Sequence, residues 1–260
     1  MTLCWQTWAS ASGEFSLKSL RLSGLTYAYP GNSSSALDQI SFEWRRGELV
    51  VLVGPSGSGK STLAKLIKGL IVPISGQIDL VGGGSERLLT ANELLETVGW
   101  TDAQPERQIF AATVEEEVGF ALANRGVKGE PLATAVRGAL ADVQLDPDNF
   151  IERDPLTLSG GEKRRIAIAS TIVVESPFLI FDEPEAGLDV EGTSMIMQLV
   201  DRLRTKNIGI MIISHDPAYS WRQTDRVISM DHGRIKNEST QPNIDWARLT
   251  EWLEATSVKN

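Results

Sequence analysis

The sequence predicts an α/β protein built around a parallel β-sheet, and three observations support this fold class. An apolar, β-branched run at residues 48–53 precedes a glycine-rich loop, which is followed by apolar residues at helical spacing. Short apolar runs at 178–181 and 208–213 are bounded by polar residues, as in parallel strands covered on both faces. A helix-period segment at 193–203 separates these two runs, and strand-helix-strand order is typical of parallel sheets.

Two further parts are predicted beside this sheet. Alternating apolar residues at 19–29, a polar turn and a returning strand at 37–44 indicate an antiparallel piece, which residues 76–81 extend. Between residues 103 and 157 the pattern is helical. Thr113 and Glu116 have capping-box spacing at the head of one helix, and a second helix follows Pro131.

The predicted domain covers residues 20–237. Residues 1–19 carry little pattern and are expected to be an extension. Residues 238–260 are expected to form a helical tail whose apolar stripe packs on the body of the protein or on a partner. A strand is also predicted at 226–230, before a turn that contains His232.

Composition narrows the class of protein. The 260 residues carry a formal charge of −9, which argues against a wide nucleic-acid surface, so no nucleic-acid partner is expected. Lys163, Arg164 and Arg165 form one tight basic cluster, for which a solvated helix face is the default expectation. The single cysteine, Cys4, fits a reducing cytoplasm. The sequence has no run of about 18 apolar residues, so no membrane span is expected. Residues 1–8 lack a basic n-region and a continuous apolar core, so no secretory signal is expected.

The glycine-rich loop matches the phosphate-binding pattern G-x-x-x-x-G-K-[ST]. It consists of Gly54, Pro55, Ser56, Gly57, Ser58, Gly59, Lys60, Ser61 and Thr62. Its glycines let the backbone turn N–H groups toward phosphates, and the following helix N-terminus adds positive potential. Lys60 is expected to reach the β- and γ-phosphates, while Ser61 places a hydroxyl on a magnesium ion.

Polar residues follow the two apolar runs where parallel strands would end. In an open parallel sheet these ends form the ligand edge. Asp182 is expected in the magnesium shell, and Glu183 is expected to orient or deprotonate an attacking water. The alternative is that this acidic pair caps a turn, and that His215 after the second run is structural.

The segment Leu158-Ser159-Gly160-Gly161-Glu162 begins another predicted helix. Ser159 and Glu162 have capping-box spacing, so both could be purely structural. Two consecutive glycines are not needed for capping, however. They expose backbone N–H groups to which a phosphate could bind.

These motifs, with Ala186-Gly-Leu-Asp189 and Ile213-Ser-His215, occur in an order that resembles the ATP-binding cassette (ABC) ATPases. The resemblance covers roughly residues 20–237. It implies a P-loop NTPase with a RecA-like parallel sheet core, an antiparallel β subdomain and a helical subdomain at about 103–157. It also implies ATP and Mg²⁺ as cofactors.

The same resemblance assigns further roles. Two cassettes would close face to face, so that Ser159, Gly160 and Gly161 of one chain complete the ATP site of another. Asp189 would couple the two sites, and His215 would contact the γ-phosphate and the attacking water. Tyr29 would stack on adenine, although it could equally be a core aromatic residue.

Within the family, residues 29–31, 105–110 and 113–118 look most like energy-coupling-factor (ECF) transporters. Those complexes import vitamins or transition-metal ions with two cytoplasmic ATPases, a transmembrane coupling protein and a substrate-binding membrane protein. The resemblance implies a peripheral protein on the cytoplasmic membrane face. It also implies that residues 103–120 lie beside the groove that receives coupling helices.

The chain departs from the family pattern at its expected sensor. The usual magnesium-sensing glutamine aligns with Ala103, and Gln104 follows one position later, so Gln104 replaces it only if the loop shifts register. Glu185 also stands where a small hydroxyl residue is common. Glu162 replaces the glutamine that usually ends the signature.

A soluble cassette ATPase that drives assembly or remodelling is the alternative function. The iron–sulfur assembly ATPases share the sequence Ser-Gly-Gly-Glu-Lys at the signature, which here spans residues 159–163. Chromosome-type relatives need long coiled coils between Lys60 and Leu158, and prolines interrupt this interval. Translation-factor relatives carry two cassettes, whereas this sequence contains one phosphate loop.

Overall fold

The computed structural model describes residues 17–32, 34–215, 221 and 223–257. Most of the expected N-terminal extension, with Cys4, lies outside these residues. The described strands are β1 (Leu17–Tyr27), β2 (Leu37–Arg45), β3 (Leu49–Val53), β4 (Ser75–Gly82), β5 (Ser85–Leu88), β6 (Val98–Thr101), β7 (Phe178–Asp182), β8 (Gly209–Ile213), β9 (Arg226–Asp231) and β10 (Arg234–Thr240). The described helices are α1 (Lys60–Ile67), α2 (Ala91–Thr97), α3 (Val114–Asn124), α4 (Glu130–Asp142), α5 (Pro147–Phe150), α6 (Gly160–Ile172), α7 (Val190–Thr205) and α8 (Trp246–Ser257).

A six-stranded sheet in the order β10-β9-β3-β8-β7-β6 forms the centre of the fold. Five of its strands, β9, β3, β8, β7 and β6, run parallel, and the edge strand β10 pairs with β9 in the antiparallel direction. Strand β3 is central and lies between β8 and β9. Because β3, β7 and β8 run parallel, the segments that follow them emerge at one edge of the sheet.

The inner strands are buried on both faces, as their continuous apolar runs predict. Side chains alternate along β3: Val51 and Val53 join one core, whereas Val50 and Leu52 join the other. The first core contains the apolar faces of α3, α4, α6 and α7. The second lies between the central sheet, α1, α2 and an antiparallel sheet.

That antiparallel sheet has the order β2-β1-β4-β5. Leu20 illustrates its pairing, with Trp44 on one side and Leu80 on the other. All three side chains are buried, and they close the second core over α1. The sheet therefore stabilises the helix that begins at the phosphate loop.

Residues 103–157, all of which are described, contain α3, α4 and α5 with two short 3-10 turns and no strand. This agrees with the predicted helical segment. Thr113 caps α3 by accepting a hydrogen bond from the N–H of Glu116 at 3.2 Å. At the other end of the chain, α8 packs on the first core through Leu253, so the tail helix covers the protein's own body.

Several boundaries differ from the sequence-based expectation. β1 begins at Leu17 rather than Ser19 and ends at Tyr27, which leaves Tyr29 in the following loop instead of at the strand end. β10 extends through Thr240, past the predicted domain boundary at residue 237. Five of the elements were not predicted individually, namely β5, β6, β10, α2 and α5. The first and third are short or polar edge strands, which lack an apolar alternation.

None of the helices among the described residues has the length and apolar character needed to cross a bilayer.

Candidate active site

The phosphate loop connects the central strand β3 to helix α1. Lys60 is 6% exposed, and its ammonium group folds back into the loop. Its Nζ atom donates to the carbonyls of Gly54 and Pro55, at 2.6 and 2.9 Å. Burial lowers the pKa of Lys60, while the nearby carboxylates of Asp182 and Glu183 oppose that shift. The ammonium group is therefore held by backbone carbonyls of the loop itself.

Two glycines in this loop are required by its geometry. Gly54 and Gly59 have φ angles of 153° and 102°. A Cβ atom at Gly54 would lie 2.2 Å from the Met230 carbonyl oxygen, and one at Gly59 would lie 2.7 Å from the Ala36 carbonyl oxygen. Neither position can accept a side chain without displacing backbone. The loop thus depends on its contacts with β9 and with the segment before β2.

Ser61 and Asp182 meet at the edge of the sheet. The Ser61 hydroxyl donates to Asp182 Oδ2 at 3.0 Å. Asp182 ends β7 and is 3% exposed, and this burial raises the pKa of its carboxyl to about 6. A buried carboxylate beside a hydroxyl is a hard-oxygen donor set that suits Mg²⁺, whose charge would stabilise the ionised form.

Glu183 and His215 form the second pair at this edge. His215 Nε2 lies 2.6 Å from Glu183 Oε1. This hydrogen bond is the main reason why the pKa of the Glu183 carboxyl is lowered. Glu183 also has a φ angle of 50°, in the left-handed region, and its N–H donates to the Ile213 carbonyl at 2.8 Å. The backbone of Glu183 thus adopts an uncommon conformation directly after β7, and its hydrogen bond to β8 helps to fix that conformation.

Glu185 occupies the position where the family pattern has a small hydroxyl residue. Its carboxyl accepts a short hydrogen bond from the Ser214 hydroxyl, next to His215. Burial raises the pKa of Glu185. The glutamate therefore ties the segment after β7 to the segment after β8.

Tyr29 lies beside the helix that follows the phosphate loop. Its hydroxyl is 3.1 Å from Thr62 Oγ1, and its ring packs edge-on against Tyr27 at 5.1 Å. The Tyr29 side chain is not a core residue, because the residue is 37% exposed. An exposed ring fixed next to the phosphate loop can offer a face to a nucleobase.

The signature segment lies at the start of α6. Ser159 and Glu162 form a complete capping box, in which Glu162 Oε2 accepts from the Ser159 N–H and hydroxyl at 2.8 and 2.6 Å. These bonds lower the pKa of Glu162. The structural alternative for this pair is therefore realised. A Cβ atom at Gly160 would meet nothing within 4 Å, so the fold of this chain does not explain that glycine.

Within the described residues, the contacts of the signature are with its own helix cap and with the loop that leads to Asp189. Asp189 caps α7 by accepting from the Gly192 N–H at 2.8 Å. Gly161 approaches Leu188, because a Cβ atom there would lie 3.4 Å from its side chain. The signature thus adjoins the loop that precedes Asp189.

The expected sensor loop follows β6. Gln104 is exposed, and its backbone N–H donates to Asp102 Oδ1 at 2.8 Å. The glutamine that fixes this loop is Gln108, whose amide oxygen accepts from the Asp102 N–H at 3.0 Å and whose amide nitrogen donates to Trp100. Sequence reasoning missed Gln108, since no motif marks it.

Arg164 corrects the expectation of a solvated basic face on α6. The residue is 8% exposed. Its guanidinium donates to two carbonyls, that of Glu183 at 2.8 Å and that of Ala103 at 2.9 Å. Burial lowers its pKa. Arg164 therefore contacts the backbone of Glu183, although in the sequence it stands only as one member of a basic run.

The arrangement defines a class of protein. It places a phosphate loop, a carboxylate–hydroxyl pair and a glutamate–histidine pair at the carboxyl edge of one parallel sheet, as nucleotide hydrolysis requires. The family model described as ABC transporter matches residues 37–186. The chain belongs to this family and is an ABC ATPase.

Within this family, the chain is similar to ATP-binding subunits of named transporters. The chain is 37% identical over 222 residues to an ECF transporter ATP-binding protein, EcfA2, from Acetivibrio thermocellus, covering 84% of this chain and 78% of that protein. It resembles the structure of cbiO1 from Clostridium perfringens, part of the ABC transporter complex cbiONQ, with a TM-score of 0.74, 28% identity, and 92% and 99% of the two chains covered. It also resembles the ABC cassette MJ0796, solved as a dimer with ADP and Pi, with a TM-score of 0.76, 26% identity, and 86% and 100% covered.

Proposed function

We propose that the chain is the ATP-hydrolysing subunit of an ECF-type transporter that imports a vitamin or a transition-metal ion. The observation that carries the assignment of ATP hydrolysis is the Glu183–His215 pair, at 2.6 Å, on the same sheet edge as the phosphate loop. The likeness to named ECF ATP-binding proteins supports the transporter class.

The residues of this chain divide the chemistry among them. Lys60 exchanges its bonds to loop carbonyls for bonds to the β- and γ-phosphates of ATP, since those carbonyls hold the ammonium group where phosphates bind. Ser61 and Asp182 would hold Mg²⁺, which supplies charge neutralisation on the phosphates when it is bound. Tyr29 would stack on the adenine.

Glu183 acts as the general base. Its carboxylate accepts a proton from water as the water oxygen bonds to the γ-phosphorus and the bond to the β-γ bridging oxygen breaks. The hydrogen bond from His215 favours the ionised carboxylate, and His215 can then contact the γ-phosphate and the attacking water. Gln104 is proposed as the sensor only if its loop changes register.

A second cassette completes the site in this proposal. The signature of this chain, residues 159–161, lies at the N-terminus of α6. A Cβ atom at Gly160 would meet nothing within 4 Å, so the glycine backbone is open and suited to bind a phosphate. The partner's ATP would bind there, and Asp189 would lie between the two sites. The partner can be another copy of this chain or a paralogue.

A groove beside Phe110 and Phe120 supports the proposal that the chain binds a membrane protein. It has a volume of ≈ 230 Å³ and is lined by Phe110, Phe120, Leu95, Gln108 and Arg125, among others. Phe110 and Phe120 are 61% and 46% exposed, and their rings meet edge to face at 4.7 Å. Exposed paired aromatics beside a concave surface are typical of a protein interface. A coupling helix of a transmembrane subunit would bind here, at the cytoplasmic membrane face.

Co-purification in detergent tests the transporter proposal. The tagged full chain should retain hydrophobic membrane proteins, and replacing both phenylalanines, Phe110→Ala with Phe120→Ala, should release them while leaving ATP hydrolysis by the isolated chain intact. Val72→Ala, a change at an exposed apolar residue outside the groove, is the matched control and should retain the partners. A wild-type complex found wholly in the soluble extract would contradict the transporter proposal and favour an assembly ATPase.

A further inference from the structure

Arg164 connects two segments that are distant in sequence. It lies in the first turns of α6, and its guanidinium is buried between the loop after β6 and the end of β7. Nη1 donates to the Glu183 carbonyl at 2.8 Å, and Nη2 donates to the Ala103 carbonyl at 2.9 Å. One planar group therefore fixes the spacing between these two carbonyls.

The contact at Glu183 acts on the backbone of the general base. The Glu183 N–H is fixed by the Ile213 carbonyl of β8, and its C=O accepts from Arg164 and from the Ala186 N–H at 3.1 Å. Glu183 has a φ angle of 50°, a conformation that is uncommon for a residue with a side chain. Without the arginine bond the Glu183 carbonyl would be held by the Ala186 N–H alone, and a rotation of this peptide would move the carboxylate.

The contact at Ala103 reaches toward the groove. Residues 102–104 are held by Gln108, which accepts from the Asp102 N–H at 3.0 Å and also lines the groove. A displacement of Gln108 by a partner would shift Asp102 and Ala103, because their backbones are continuous. Arg164 would then transfer that shift to the Glu183 carbonyl.

The residue type suits this role. A buried charge is retained where its hydrogen bonds are satisfied, and both bonds of Arg164 go to main-chain carbonyls. The carboxylates of Glu106, Glu183 and Glu185 favour its charged form, in that order. Lysine would keep the charge but could not span both carbonyls with a rigid fork.

We propose that Arg164 is a positioning residue that couples the loop at residues 102–104, beside the groove, to the backbone of the general base Glu183. This inference rests on the proposed function, because it takes Glu183 as the base. It predicts that hydrolysis depends on the two-pronged contact of Arg164 and not merely on a positive charge at this position.

Steady-state ATP hydrolysis by the full chain tests this role. Arg164→Lys should lower kcat between about 10-fold and 100-fold, the range for a displaced catalytic group, while KM for ATP stays within about 2-fold and the unfolding temperature stays near the wild-type value. Arg165→Lys, the neighbouring change, is the matched control and should leave kcat unchanged. Retained kcat in Arg164→Lys would overturn the proposal, as would parallel losses of kcat, ATP affinity and stability.

A double-mutant cycle separates coupling from a general weakening. Gln108→Ala should lower kcat in the wild-type background but should have little further effect on Arg164→Lys, because both changes break one path. Multiplicative losses in the double variant would show two independent effects and overturn the coupling. Glu183→Gln in the same assay keeps the outcomes distinct: its loss of hydrolysis supports the base assignment whatever Arg164 shows.

Discussion

The imidazole of His215, which follows β8, lies 2.6 Å through Nε2 from Oε1 of Glu183, which follows β7. This hydrogen bond lowers the pKa of the Glu183 carboxyl against the opposing effect of burial. The pair therefore favours the ionised form of Glu183, which is the form that the proposed general base requires.

Replacing His215 should change the pH dependence of hydrolysis. In His215→Ala the pKa of Glu183 rises, because burial is no longer opposed by that hydrogen bond, and the acid-side fall in kcat/KM should begin at higher pH. A pH profile between about 4 and 8 measures this shift. His232→Ala, at an exposed turn, should leave the profile in place. An unmoved acid limb in His215→Ala would show that the pair does not set the ionisation of the base.

A substitution at Gly160 distinguishes a structural role of the signature from a functional one. Gly160 lies in the first turn of α6, its φ angle is not in the left-handed region, and a Cβ atom there would meet nothing within 4 Å. Gly160→Ala should therefore fold with unchanged or higher stability, by up to about 1 kcal/mol, because alanine reduces the entropy of the unfolded chain. Hydrolysis should nevertheless fall at least about 10-fold if a partner's phosphate approaches this backbone.

Gly138→Ala is the matched control for that comparison. Gly138 lies inside α4, where a Cβ atom also meets nothing within 4 Å. The substitution should stabilise the chain to a similar or greater extent, and ATP hydrolysis should remain at the wild-type rate. Full hydrolysis in Gly160→Ala would argue that the signature serves only as a helix cap.

Glu185 should make the stability of the protein depend on pH. Burial raises the folded-state pKa of Glu185 above its ordinary value of 4.5, so the folded chain binds its proton more tightly than the unfolded chain does. The stabilising contribution is fully present below about pH 4.5 and is lost as pH rises through the folded-state pKa. Glu185→Gln should therefore reduce the decline of the unfolding free energy across this window.

Denaturant unfolding at a series of pH values above 4.5 measures this effect. The free energy of unfolding of Glu185→Gln should fall less with rising pH than that of the wild type. Glu254→Gln, at an exposed position on α8, should follow the wild-type curve. Identical pH dependence in all three proteins would contradict the account of Glu185.

The local motifs of the site could be predicted from the sequence because each is contiguous and follows an apolar strand. Gly54 to Thr62, Asp182 with Glu183, and His215 all lie at the carboxyl edge of the sheet, where parallel strand order requires them to lie. The apolar runs of β3, β7 and β8 likewise indicated burial on both faces.

The remaining features depend on contacts between distant segments. Arg164 stands next to Lys163 and Arg165 in a basic run, and nothing local distinguishes the one whose guanidinium is buried against Ala103. The role of Gln108 depends on how the loop after β6 folds back. β10 was missed because an exposed edge strand needs no apolar alternation, and its pairing with β9 is decided by tertiary structure.

The central claim, that this chain hydrolyses ATP with Glu183 as the general base, is tested most directly by measuring single-turnover ATP hydrolysis and ATP binding for wild type and Glu183→Gln. Glutamine keeps the shape of the side chain but cannot accept the proton. Hydrolysis should fall at least about 100-fold, as expected for loss of a general base, while ATP affinity remains and the ATP-bound dimer accumulates. Wild-type turnover in Glu183→Gln would contradict the account.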